Sequence, residues 1–436
     1  MAGSPRISLP NHARWPNETL SALCSTVSRG SAPRYVERSL VMAIGQRCVA
    51  ASGFEPSAAR PHAESVTAGT LCPEAGDVLL NSTGTGTIGR SAVFDGRGRF
   101  IVDGHVTLLR PRLTKAHGRW LNSVLQTWWG QNFLETQCYS GSTNQVELSR
   151  TRLADAELPT PPLLEQRRIA EVLDTLDEAI GKTEQLIAKL KQVKRGLLHD
   201  LLTRGIDDND EVRDPSRHPE QFKDSPLGRI PREWSSKRLR ELSPRLAGRL
   251  IVQPHQYFAD DGVPIVFASN IRPGWIDLEG IKHINFSADA RFSHCRIRAG
   301  DLLTVRVGVP GMTAVVPAGL DGCHFASTMW IRQADSFSSE WLCACMNSSL
   351  VRSQIESANY GSVQTQFNIR EAEYFLFPVP PKQEQLAIVE RLQAFDGQLN
   401  AEASTLNKLL PLKLGIMTDL LTGRVRVPSL PSEVAA

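Results

Sequence analysis

The chain has 436 residues and a formal net charge of +3, with 41% hydrophobic and 22% charged residues. That is the balance of a folded protein with room for two to four domains, and so small a charge admits a polyanionic partner only through a local basic patch. The N-terminus lacks the apolar core of a signal peptide, no run of roughly 18 apolar residues occurs, and none of the eight cysteines stands in a C-x-x-C or zinc-finger spacing. A cytoplasmic protein without a structural metal is the expectation.

Residues 1–160 read as a first globular segment. Within it Ser82 to Ser91, STGTGTIGRS, fits two nucleotide-binding patterns. Gly84, Gly86 and Gly89 spell G-x-G-x-x-G, while Gly84, Gly89, Arg90 and Ser91 spell a P-loop with arginine in the lysine position. Either motif needs a strand before it and a helix after it, since the helix N-terminus supplies amides and dipole to the phosphates. Asp77 to Leu80 supplies the strand, but Ser91 to Val102 alternates and is punctuated by glycine like a second strand and turn. The pattern predicts a hairpin. Trp128 and Trp129 fall in a helical pattern with Leu121 and Leu125, which assigns them to packing or a docking surface. Gly141 and Ser142 then open a polar turn carrying Asn144 and Gln145.

Residues 161–205 read as one long helix. Ile169, Leu173, Leu176, Ile180, Ile187, Leu190, Leu197 and Leu201 are spaced by threes and fours, with polar gaps at Thr183 and Lys194. Residues 206–231, with the acidic run Asp207 to Glu211 and several prolines, predict a polar, structure-poor linker. A second globular segment follows over 232–379. Its stretch Thr304 to Val315 keeps Gly308 and Gly311 but neither nucleotide fingerprint, and its Gly361-Ser362 precedes Gln364 and Gln366. Cys343 and Cys345 read as reduced, buried thiols on a helix, and His255, His283, His294 and His324 as ordinary surface or core histidines. Residues 380–424 form a second long helix, and 425–436 a tail. Its seam is Ile388, Leu392, Phe395, Leu399, Leu406, Leu409, Ile416 and Leu420, with gaps at Glu402 and Lys413. Pro411, where the first copy has Gln192, should kink or loosen it.

The two long helices are an internal repeat. Pro161 to Leu173 aligns with Pro380 to Leu392 at an offset of 219, and the ungapped match runs on to Thr203 and Thr422 with 16 identities in 43 positions. The same offset carries Trp15 onto Trp234. A helix of about 40 residues is about 60 Å long, so its apolar stripe needs a long partner, and the other copy is the obvious one. Antiparallel pairing with pseudo-twofold symmetry is the expected geometry. The fold class is therefore α+β: two globular domains joined by two long antiparallel coiled-coil helices.

Gly-Ser, then Pro-Pro-x-x-Glu-Gln, then an amphipathic helix ending in Leu420 to Val425, resembles the specificity subunit of type I restriction-modification systems. Phe222 to Trp234 resembles the lead-in to that family's second target-recognition domain. The resemblance covers nearly the whole chain. It implies a non-catalytic subunit whose two variable segments, 1–160 and 232–379, each read one half of a bipartite double-stranded DNA site. The repeated helices would act as a spacer and dock methyltransferase (M) and restriction/translocase (R) subunits. It implies no cofactor on this chain, with S-adenosylmethionine, ATP and Mg²⁺ on those partners, and no membrane. Base discrimination needs bidentate or hydroxyl groups on loops, which makes Ser82, Thr83, Thr85, Arg90, Asn144 and Gln145 the candidates in the first half. Asn270, Arg272, Arg306, Gln364 and Gln366 are those of the second, with Arg47 a further one. Two other classes compete: a coiled-coil scaffold that binds only protein, and an enzyme using the glycine loop, in which Gly89→Val would abolish nucleotide binding.

Overall fold

The structure is a computed structural model that describes residues 9–427 except 68, 142–145, 244, 249–253 and 359–365. Two compact units emerge, 1–184 with 404–436 and 185–403. The domain boundaries expected from sequence are thus crossed by the packing. Leu163–Thr203 gives its first half to the first unit and its second half to the second, while Lys382–Leu421 does the reverse.

In the first unit an antiparallel sheet runs in the order Cys24–Arg29, Val106–Pro111, Val78–Asn81, Ser91–Val93. Its central strand is buried on both faces, and the two-residue period of a strand divides it. Val78 and Leu80 enter the core shared with the helix Gly118–Gln126 and the long helices, while Leu79 enters a smaller core with Val102, Val106 and Leu108. A three-stranded sheet, Arg60–Pro61, Val41–Ile44, Arg99–Val102, closes that smaller core.

The second unit repeats this plan with different residues. Leu246–Gly248, Thr328–Ile331, Leu302–Val305 and Thr313–Val315 form the antiparallel sheet. Leu302 faces one core and Leu303 the other. Val263–Phe267 lies parallel to His324–Ala326, as Val41–Ile44 lies parallel to Arg99–Val102. Cys343 and Cys345 are buried free thiols on the helix Ser339–Met346, as expected.

Within each unit the two long helices run antiparallel. In the first unit Glu165 takes Arg426 and Asp177 takes Lys413. In the second Lys194 takes Asp396 and Arg213 takes Glu384. Asp177 and Lys194 of the first helix are the repeat partners of Asp396 and Lys413 of the second. The polar gaps at Lys194 and Lys413 are therefore places where a lysine of one helix meets an aspartate of the other, a register-fixing device of the kind a polar seam position provides. Around them Ile169, Leu173, Ile180, Leu201, Ile388, Leu392 and Leu420 are buried, and Leu176, Ile187, Leu190, Phe395, Leu399, Leu406 and Leu409 are half-buried.

The Glu-Gln pair that heads each helix clamps it to its domain. Gln166 Oε1 accepts from the His117 amide at 2.8 Å, and its Nε2 donates to the carbonyls of Lys115 and Pro161. Gln385 does the same with the Ser338 amide and the Pro380 carbonyl. Glu165 accepts two bonds from Arg426, and Glu384 accepts from Arg213, the Ile206 amide and Trp234 Nε1. Gly205 and Gly423 end the helices at φ +66° and +71°, where a Cβ would meet Trp234 and Trp15 respectively.

Two expectations are corrected. Residues 206–231 are not structure-poor: Phe222–Ser225 pairs with Gly228–Pro231, and Ile206, Phe222 and Ile230 are buried, which anchors the polar run to the second unit. The second long helix continues through Pro411, which is exposed on it.

Candidate nucleic-acid interface

Each unit carries one glycine-punctuated hairpin at the same place in its sheet. In the first, Val78–Asn81 pairs with Ser91–Val93 and the loop 82–90 lies between them. The turn closes on itself: Thr87 N and Ile88 N donate to the Gly84 carbonyl, Gly89 N to Asn81, and Arg90 N to Thr87. Those amides are unavailable to phosphate, and the strand Ser91–Val93, not a helix, follows. The loop is a fixed projection of the sheet and lacks the geometry of a phosphate cradle.

What fixes it comes from neighbouring elements. Gln46 Nε2 donates to Thr83 Oγ1, which also bonds His105 Nδ1 at 2.9 Å, and Gln131 Nε2 donates to the Gly89 carbonyl at 2.9 Å. Gly84 and Gly89 have φ of +98° and +83°, and a Cβ at Gly89 would lie 2.4 Å from the Tyr139 hydroxyl. Ser82 is fully buried with its hydroxyl on Thr107, so its side chain belongs to the sheet interior. Thr83 is half-buried, whereas Thr85, Arg90 and Arg47 are exposed. The exposed His105, bonded to Thr83, joins this surface; its signal in the sequence was weak, a histidine in a turn between two strands.

In the second unit the hairpin Leu302–Val305 and Thr313–Val315 carries the loop 306–312. Thr304 and Thr313 bond each other inside the sheet. The tip exposes Val307 and Val309, and its base carries Arg306, whose buried Nε has no hydrogen-bond partner. Val307 bridges to Gln366, which is exposed. The first loop makes the matching bridge, Thr83 to Glu147.

Asn270 and Arg272 are corrections. Asn270 is buried, its Oδ1 accepting from the Phe267 amide and its Nδ2 donating to the Asp277 carbonyl. Arg272 is held on Asp277 at 2.9 Å and on two backbone carbonyls. Both residues shape the turn before Trp275. Asn144, Gln145 and Gln364 lie outside the described residues. Trp129 is buried and Trp128 is 67% exposed, so the pair divides between core and surface.

Comparison with known proteins shows what this chain resembles. Residues 65–192, from before the first hairpin to well past the middle of the first long helix, match the type I restriction modification DNA specificity domain. The putative type I restriction enzyme MjaX specificity subunit of Methanocaldococcus jannaschii is 26% identical over 81% of this chain and 79% of its own length. This chain is similar to the specificity subunits of type I restriction-modification systems. The EcoBI specificity subunit of Escherichia coli is 26% identical over 64% of this chain and 59% of its own length. Among solved structures, the S subunit from M. genitalium superposes with a TM-score of 0.54 at 12% identity, covering 98% of this chain and 100% of that one. A chain of a type I restriction-modification assembly gives the same TM-score at 18% identity, covering 94% and 98%. These are likenesses of fold, and the mixed α and β architecture with two long helices is that of specificity subunits.

Proposed function

We propose that this chain is a specificity subunit that recognises a bipartite duplex DNA site, one half through each hairpin domain, and has no catalytic role of its own. The observation that carries the reading is the repetition of one hairpin, at one place in one sheet topology, with tips of different chemistry. Thr83, Thr85 and Arg90 offer hydroxyl and guanidinium groups, suited to hydrogen-bonded base edges and phosphates, whereas Val307 and Val309 beside Arg306 and Gln366 suit thymine methyl groups flanked by polar contacts. Two recognition modules on one chain bind in concert because the second meets its half-site at high effective concentration.

The long helices would supply the spacer and the docking surface for methyltransferase subunits, with a restriction subunit joining the assembly. Exposed apolar residues support that role: Leu186 and Val193 on the first helix, and Leu410, Leu412 and Leu414 on the second, lie outside the seam. S-adenosylmethionine, ATP and Mg²⁺ belong in this reading to those partners. No helix among the described residues is long and apolar enough to cross a membrane.

The test is a genome-wide map of N6-methyladenine in cells with the chain and its methyltransferase partner, against cells lacking this chain alone. A two-part motif with a fixed gap, present only with the chain, is the expected result. Assembly of the complex without any motif would refute recognition and favour a protein scaffold.

A further inference from the structure

Four arginines of the second unit gather beside its hairpin. Arg306 and Arg370 line an open cavity of about 570 Å³ together with Asn368, Ile369, Glu371 and Tyr374. At the Tyr374 ring, Arg238 and Arg240 place their guanidinium carbons 5.3 and 4.7 Å from the centroid, and Arg240 Nη1 donates to the tyrosine hydroxyl at 3.3 Å. Tyr374 is 51% exposed, and Arg238, Arg240 and Arg370 are exposed. None of the four arginines has an ion-pair partner among the described residues, although 20 such pairs occur elsewhere.

The nearby carboxylates Glu371 and Glu241 accept backbone hydrogen bonds and keep their charge, which leaves the four guanidiniums in excess over them. Glu371 closes a capping box with Asn368, accepting from its amide and side chain. Glu241 accepts from the Arg238 amide. Arg306 adds a buried Nε that has no acceptor. An arginine cluster in excess over its carboxylates costs self-repulsion that a bound anion relieves, and stacking on an aromatic ring orients guanidinium planes for bidentate oxyanion contacts.

We infer that Arg238, Arg240, Arg306 and Arg370 around Tyr374 form a seat for the phosphate backbone of the target duplex, which fixes the position of the second hairpin without reading sequence. The cluster's place supports phosphate over base: Phe367 N bonds the Arg306 carbonyl and Val307 bridges to Gln366, which puts Arg306 at the base of the loop, where it shares a cavity with Arg370 and Tyr374, and not at the tip. Phosphate contacts position, and base contacts specify. The inference rests on the recognition reading above.

The experiment uses the assembled complex of this chain with its methyltransferase partner. Binding is measured over a series of salt concentrations on a duplex bearing the mapped methylation site and on a scrambled duplex. Arg240→Gln, Arg370→Gln and the double variant are compared with wild type, and thermal melts verify folding. The seat requires each single variant to weaken both duplexes by the same factor, to lower the slope of log affinity against log salt by about one, and to leave the methylated motif unchanged. The double variant should lower the slope by about two. Unchanged affinity and slope, with wild type still preferring its site, would overturn the seat alone. An altered motif would make these arginines base readers, and weakened assembly with the methyltransferase would make them a protein contact; either overturns it. A wild-type complex with no preference for the mapped site would remove the recognition reading and the seat with it.

Discussion

At the scale of single residues, the two glutamates of the repeat have unequal surroundings. Glu384 and Arg213 have side chains only 11% and 12% exposed, and Glu384 also holds Trp234 Nε1. Glu165 is equally buried, but Arg426 is 54% exposed and Trp15 Nε1 finds no partner. Removing one member of a buried pair strands the other charge, at a cost of about 3 kcal/mol. Glu384→Gln should therefore lower the stability of the second unit by about that much in denaturant titrations, and Glu165→Gln should cost the first unit clearly less. A second prediction concerns pH. His324 is fully buried with Nε2 2.9 Å from Asp289 Oδ1. Burial holds its imidazole below the ordinary 6.5, more than Asp289 raises it, while the Arg296 bonds hold the Asp289 carboxyl below its ordinary 3.8. For both groups the folded value is depressed, so their contribution is complete above the unfolded value and is lost as pH falls. The melting temperature should drop between pH 7 and 5, and His324→Gln should flatten that drop while lowering stability at pH 7.

At the scale of elements, the long helices were the most legible part of the chain. Their period survives in sequence because one face must stay apolar over its whole length, and the repeat doubled the signal. The meaning of the breaks in that period was not legible: Lys194 and Lys413 read as gaps, because the aspartate that satisfies each sits on the other helix. The hairpins were readable from glycine and alternation. Ser82, Asn270 and Arg272 were misplaced because a polar residue in a turn looks the same whether it faces solvent or ties the turn together. The linker was misjudged for the same reason, since three buried apolar residues outweigh its acidic run. Pro411 allows a direct test. Proline inside a helix removes one hydrogen bond and crowds the preceding turn, yet the helix persists, held at the next turn by Lys413 on Asp177 and by half-buried Ile416. Pro411→Gln, the residue of the first copy, should raise stability by about 2–3 kcal/mol in calorimetry or denaturant titration.

At the scale of the whole molecule, the chain separates a shared frame from two divergent tips. Glu-Gln clamps and lysine–aspartate pairs recur at the repeat offset, and a glycine stops each long helix within one residue of it, whereas the loops 82–90 and 306–312 share glycines and little else. A substitution at one tip should therefore alter one half of the recognised motif and leave the other half and the gap between them untouched. Thr85→Val with Arg90→Gln changes only exposed side chains of the first loop, and Gln366→Ala changes only the flank of the second. Methylation mapping of each variant should show relaxed or lost preference at positions in opposite halves of the motif, with an unchanged gap. Each lost bidentate contact is worth about 1–3 kcal/mol of discrimination, enough to relax a motif position completely. If both variants changed the same half, the assignment of one hairpin to one half-site would fall. If both merely lowered methylation at every site alike, the loops would be phosphate contacts, and the readers would lie elsewhere in the domains.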